Sequence, residues 1–218
     1  MKQSMDLFGE ALLSYSKGNK SKFYFADSKN KYQHPLNRYF RKYRAFTKIE
    51  KKILSMSKGN ILDVGCGTGI YIPYLMKHGK VLGIDISSNT IQICKNKKLN
   101  CKTADIFNFK TNQKFDTIVL LENNLGMAET LPKTKKLIKI LSNMLTKNGC
   151  ILTNARNVPK NEYYIAELYP IYKNKIGPNF KWISFNPKYL SKLCQELNLK
   201  LEIIERSNNF YLAKITKK

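Results

Sequence analysis

The sequence predicts an α/β fold, a mostly parallel sheet covered by helices on both faces. Three observations carry that expectation. Residues 61–76 read as a short apolar strand, a glycine turn and the start of an apolar-faced helix. From there to residue 154, strand-like and helix-like stretches alternate, the pattern of a parallel sheet. Three acids, Asp63, Asp85 and Asp105, fall at or near the carboxyl ends of predicted strands, where such sheets bind their ligands.

The elements follow in chain order. Leu7, Phe8, Ala11, Leu12 and Tyr15 recur at helical spacing until Lys17-Gly18-Asn19 ends the run. Residues 22–26 and 31–33 read as two strands around the turn Asp27-Ser28-Lys29-Asn30. His34-Pro35 breaks the second strand. Tyr39, Phe40, Tyr43, Phe46, Ile49 and Ile53 then predict one helix over residues 36–55. Core strands are predicted at 61–64, 81–86, 100–103, 115–121 and 149–154, with helices at 69–78, 88–96 and 131–145. Residues 155–180 form a polar, aromatic, proline-broken segment. A strand follows at 181–185, then a helix from Pro187 to about Asn198 capped by Asn186. Leu201–Glu205 and Phe210–Ile215 read as two final strands.

The glycine turn, Gly65-Cys66-Gly67-Thr68-Gly69, lets a ligand approach the backbone closely. Its G-x-G-x-G spacing, with Asp63 two residues ahead, departs from the G-x-G-x-x-G of dinucleotide folds. A carboxylate beside the turn suits a ligand carrying ammonium and sulfonium charge better than one carrying two phosphates. Asp85 lies about 20 residues past the first glycine, where doubly wound folds hold ribose hydroxyls.

These stretches resemble the class I S-adenosylmethionine-dependent methyltransferases. ILDVGCGTG is similar to the superfamily's first motif and GIDIS to its second. TADIFNF resembles the segment whose acid meets the adenine amino group, and FDTIVLLENNLGM the fourth strand and its active-site tip. LTKNGCILT resembles the turn and fifth strand, with Asn148 replacing the first of the usual two glycines. The likeness is strong over residues 58–155 and looser elsewhere. DLFGEALLSYSKG is similar to a subgroup of small uncharacterised bacterial and archaeal members.

The resemblance implies a Rossmann-like, doubly wound, seven-stranded sheet closed by an antiparallel C-terminal hairpin. Residues 1–57 would form an N-terminal helical and aromatic lid, and residues 58–218 the cofactor-binding core, with 155–186 inserted on the substrate side. S-adenosylmethionine would be the cofactor and S-adenosylhomocysteine the product. The implied cofactor residues are Asp63, Gly65, Cys66, Gly67, Gly69, Asp85, Ile86, Asp105, Ile106, Leu121 and Glu122, with Phe107 beside the adenine. Glu122 and Asn123, at the fourth-strand tip, are candidates to meet cofactor or acceptor. An equal reading is a turn whose asparagines tolerate positive φ. The tip lacks the N/D-P-P-Y signature of enzymes that methylate nucleobase or glutamine amino groups. His34, in the lid, is the histidine placed to act as a base. The aromatic stripe of the lid reads mainly as packing, and Arg38, Arg41 and Arg44 either as an anion-binding cluster or as a solvated face.

Composition sets the remaining bounds. The 218 residues suffice for one domain with a sizeable core. No apolar run approaches the ~18 residues of a membrane span, and the N-terminus carries no apolar leader-like run. The five cysteines are scattered without a C-x-x-C, which predicts neither a disulfide framework nor a zinc site, and makes a reducing cytoplasm the simplest setting. The formal charge is +24, yet only Arg38, Arg41, Arg44, Arg156 and Arg206 of the 39 basic residues are arginine. That balance favours genome-wide lysine drift over a dedicated nucleic-acid surface. The expected activity is methyl transfer to an N or O atom of a small-molecule acceptor. The alternatives are an RNA or protein methyltransferase and a non-catalytic cofactor-binding subunit.

Overall fold

The computed structural model describes residues 2–218. Helix α1 (Lys2–Ser16) leads into strands β1 (Phe23–Ala26) and β2 (Lys31–Gln33), two 3-10 turns (Leu36–Phe40 and Tyr43–Ala45) and α2 (Lys48–Met56). The core follows as β3 (Gly59–Val64), α3 (Ile72–Leu75), β4 (Gly79–Asp85), α4 (Ser88–Asn96), β5 (Cys101–Thr103) and β6 (Phe115–Leu120). A 3-10 turn (Asn124–Ala128), α5 (Leu131–Met144) and the long β7 (Leu145–Arg156) complete the parallel part. Then come β8 (Tyr163–Tyr172), β9 (Lys175–Ile176), β10 (Phe180–Phe185), α6 (Pro187–Glu196), β11 (Leu199–Ser207) and β12 (Phe210–Lys217).

The main sheet has seven strands in the order β11-β12-β7-β6-β3-β4-β5. The strands from β7 to β5 pair parallel, and β12 pairs antiparallel with both β7 and β11. This is the expected doubly wound sheet with its C-terminal hairpin. Side chains alternate along β3 and β6, as the pleat requires. Leu62, Val64, Ile118 and Leu120 pack with Leu137, Ile138 and Leu141 of α5 and Leu190 of α6. Ile61 and Val119 pack on the other face with Ile49 and Ile53 of α2, Leu75 of α3 and Ile91 of α4.

A second sheet, in the order β10-β8-β1-β2 with β9 also on β8, joins the N-terminal strands to the 163–185 segment. Within the proline-broken segment 155–180, ten residues form the strand β8. β8 pairs with β10 over residues 163–168 and with β1 over 169–172, so Pro170 falls just past the handover between partners. Phe23 and Tyr172 are buried together with Leu7, Ala11 and Leu12 of α1 and Ile93 of α4, which fastens this sheet to the core.

Two predicted helices are shorter than expected. The 36–55 stretch is broken by extended backbone at Arg41, Lys42, Phe46 and Thr47. α2 starts only at Thr47, whose side chain accepts the Glu50 N–H (3.2 Å) while the Glu50 carboxylate accepts the Thr47 N–H (2.6 Å). The 69–78 stretch holds a single helical turn, preceded by tight turns from Gly69 N–H to Cys66 O and from Ile72 N–H to Gly69 O. The glycine loop therefore has no long helix behind it.

Phe23 is fully buried where the second sheet meets α1 and α4. Phe23→Ala is expected to lower the unfolding free energy by roughly 3–5 kcal/mol, read as a fall in the urea midpoint without a change in slope.

Candidate active site

A cavity of about 500 Å³ runs from the glycine loop, across the carboxyl ends of β3, β4 and β6, to the underside of the lid. At its polar end lie Gly65, Cys66 and Gly67, together with Asp85, Ile86, Asp105 and Ile106. The residues expected to meet ribose and adenine thus line one continuous wall. Asp85 Oδ2 accepts the Gly67 N–H (2.9 Å) and Oδ1 the Ser87 N–H (2.9 Å). Each oxygen keeps a lone pair for a ribose hydroxyl. Burial raises the Asp85 carboxyl, and these two backbone donors partly offset it. Asp105 Oδ1 accepts the Phe107 N–H (2.9 Å) and Oδ2 the Asn108 amide (3.0 Å), which fixes the turn over which Ile106 and Phe107 reach the wall.

Gly67 has φ +54°, and a Cβ built there would meet nothing within 4 Å. Its missing side chain leaves ligand space rather than packing space. Gly69 is different. It does not line the cavity, and a Cβ there would press within 2.6 Å of Leu99 Cδ1 and 3.0 Å of Cys94 Sγ. Asp63 is also off the wall. It is 1% exposed, neither carboxylate oxygen has a hydrogen-bond partner, and burial raises its carboxyl well above the ordinary range.

Leu121, Glu122 and Asn123 line the cavity where β6 ends. Glu122 and Asn123 both adopt left-handed backbone, with φ +58° and +61°. Asn123 is tied into the scaffold: its Oδ1 accepts the Arg156 N–H (3.0 Å) and its amide reaches Ser184 Oγ (3.4 Å). Glu122 is bound to the lid. Its Oε2 takes Arg38 (2.6 Å), and its Oε1 takes Arg41 (2.5 Å) and the Tyr71 hydroxyl (2.7 Å). Arg41 also pairs with buried Glu50. Burial opposes ionisation of Glu122, but Arg38 and the hydrogen bonds hold its carboxyl below the usual range. Arg38 and Arg41 are thus engaged with carboxylates of the protein itself, whereas Arg44 is exposed.

The far end of the cavity is apolar and aromatic, lined by Phe8, Phe25, Phe180, Trp182 and Leu168. Among them stands His34, its Nε2 2.8 Å from the Tyr39 hydroxyl and its ring 5.0 Å from Phe25. Burial, and then the Arg38 guanidinium, push its pKa down to about 4, so the imidazole is neutral at physiological pH. Phe180 and Trp182 come from the second sheet, which sequence spacing did not reveal. Asn124 was also missed: its amide donates to Gly65 O (2.9 Å) and holds the glycine loop from the β6 side.

Residues 55–196, well over half of the chain, match the sequence model of a family described as a methyltransferase domain. A ubiquinone biosynthesis O-methyltransferase from Coxiella burnetii is 31% identical over 118 residues, 50% of this chain and 48% of that protein. The chain thus spans about half the length of the ubiquinone-biosynthesis relatives it matches. An uncharacterized methyltransferase from Staphylococcus carnosus is 25% identical over 180 residues, 79% of this chain and 85% of that one. Among solved structures, a SAM-dependent methyltransferase from Bacteroides fragilis, in complex with S-adenosyl-L-homocysteine, superposes with a TM-score of 0.88 at 23% identity, over 99% of this chain and 96% of that one.

The polar wall fits such a cofactor, since ligand space at Gly67 and free lone pairs on Asp85 sit side by side. Gly67→Ala is expected to fold and to lose at least tenfold in S-adenosylhomocysteine affinity by calorimetry, because its Cβ enters that space. His34 supplies a second readout. Its folded pKa lies below the ordinary ~6.5, so the stability it contributes is complete above that value and is lost as pH falls toward about 4. His34→Gln should therefore narrow the gap between urea midpoints at neutral and acidic pH. From the glycine loop, the acid-lined strand ends and the match over residues 55–196, it follows that this chain belongs to the methyltransferase-domain family, with the fold of the Bacteroides fragilis protein.

Proposed function

We propose that this chain is a class I S-adenosylmethionine-dependent methyltransferase and that it methylates a hydroxyl oxygen on a small, largely apolar, ring-bearing acceptor of phenolic character. The observation that carries this reading is the shared cavity, with an acid-lined end that fits the adenosyl group and an aromatic end of Phe8, Phe25, Phe180 and Trp182. Aromatic walls favour a planar ring through offset and edge contacts. A ubiquinone biosynthesis O-methyltransferase among the relatives supports the same class of acceptor atom.

The sulfonium brings an activated methyl group, so the protein's task is orientation and exclusion of water. In the transfer, the acceptor oxygen forms a bond to the methyl carbon as the carbon–sulfur bond breaks, leaving a neutral thioether. The acceptor's proton must leave too. Among the described residues lining the aromatic end, His34 is the one neutral nitrogen base, and with a pKa of about 4 it is too weak to keep that proton. Glu122 is held ionised by the lid. The site therefore suits an acceptor that ionises readily by itself, as phenols do, with a His34 ring N–H donating the hydrogen bond that aims the phenolate oxygen while Nε2 meets the Tyr39 hydroxyl.

A transfer assay with labelled S-adenosylmethionine against a simple phenol, a catechol, an alkyl amine and bulk RNA tests the reading. Methylation of the phenol or catechol, with turnover rising as the acceptor ionises, is the expected result. Transfer only to the amine or to RNA would overturn it. His34→Gln should lower kcat/KM for the phenol about tenfold, the worth of one hydrogen bond. An unchanged value would leave His34 as a packing residue.

A further inference from the structure

Three of the five cysteines, far apart in sequence, meet in space behind the glycine loop. Cys66 sits in that loop, Cys94 on α4 and Cys101 at the start of β5, and their sulfurs all lie within 4.8 Å of one another. The sheet makes the room. Asp63, Gly83 and Cys101 stand in register across β3, β4 and β5. Gly83 contributes no side chain between its two neighbours. A Cβ on Gly83 would lie 2.8 Å from Cys101 Sγ and 3.0 Å from Cys66 Sγ, so the sulfurs occupy the space that a side chain would have filled.

We propose that Cys66, Cys94 and Cys101 form a three-sulfur site for a thiophilic d10 cation, Zn2+ or Cu+, that staples the cofactor loop to α4 and β5. A cation about 2.3 Å from each sulfur sets the three roughly 3.8–4.0 Å apart, which small rotations within the present cluster achieve. Soft thiolates select such ions over hard ones. Binding is a proton exchange: each sulfur still protonated gives its proton to solvent as it ligates.

A second observation points to a cation here. Asp63 is 1% exposed, lies on the strand beside Gly83 and has both carboxylate oxygens without a hydrogen-bond partner. A buried carboxyl with neither oxygen paired calls for a partner, and the neighbouring Cys101 sulfur, which also opposes its ionisation, places it beside the cluster. Cys101 is partly exposed and gives the ion a way in, whereas Cys66 and Cys94 are buried. The site involves neither the acceptor nor its chemistry, so it stands or falls apart from the phenol reading.

The test uses the full chain, reduced and stripped of metal, titrated with Cd2+ as the spectroscopic probe and then with Zn2+. The expected result is one ion per chain, a cadmium–thiolate charge-transfer band, a metal-dependent rise in melting temperature and about three sulfurs per zinc by X-ray absorption of the unmutated protein. Cys101→Ser should weaken binding at least ~100-fold, while Cys150→Ser, on β7 outside the cluster, retains it. Failure to bind either ion, a coordination shell of nitrogen and oxygen only, or equal affinity in Cys101→Ser would overturn the proposal and leave the thiols as core packing.

Discussion

The carboxylate of Glu122 is where the lid meets the sheet. It leaves the tip of β6 on left-handed backbone and receives Arg38, Arg41 and the Tyr71 hydroxyl. Arg41 carries the linkage on to Glu50, whose carboxylate also closes the capping box that starts α2. Two guanidinium groups thus balance two carboxylates in a half-buried cluster. Such a cluster adds little net stability over an apolar substitute, but removing one partner strands the rest at a cost of about 3–5 kcal/mol. Its value is geometric. It holds the 36–46 segment over the strand ends, and the second sheet can then close the cavity.

One enclosure therefore serves two chemistries. Its polar end is built by backbone turns and acids that the parallel sheet delivers to one edge. Its apolar end is built by aromatic residues from α1, β1 and β10, none of which belongs to the parallel core. Neighbouring rings such as Phe25 and Phe180, with centroids 5.6 Å apart, set a fixed wall rather than a pliable one. A neutral His34 in that wall adds direction without charge.

Much of this was legible in the sequence, for physical reasons. The β3–β7 strands are short apolar runs with turn residues between them, and the loop glycines and strand-end acids are demanded by backbone conformation and ligand chemistry. The second sheet was not legible, because β1 pairs with β8 across more than a hundred residues and Pro170 disguises the strand. Thr47 and Glu50 did carry a readable start signal for α2, but the helical spacing of Tyr39, Phe40, Tyr43 and Phe46 masked it. Those aromatics serve separate partners instead: Tyr39 meets His34, and Phe46 meets Tyr71 and Tyr74. The cysteine cluster was hidden because only strand register and the bare Gly83 bring Cys66, Cys94 and Cys101 together.

The most direct measurement is a crystal structure of the protein with S-adenosylhomocysteine. The account predicts the ribose on Asp85, the sulfur turned toward the chamber of Phe8, His34 and Trp182, and Glu122 still paired with Arg38 and Arg41. A complex in which Glu122 abandons those arginines for the ligand's ammonium, and the lid swings off the strand ends, would contradict it.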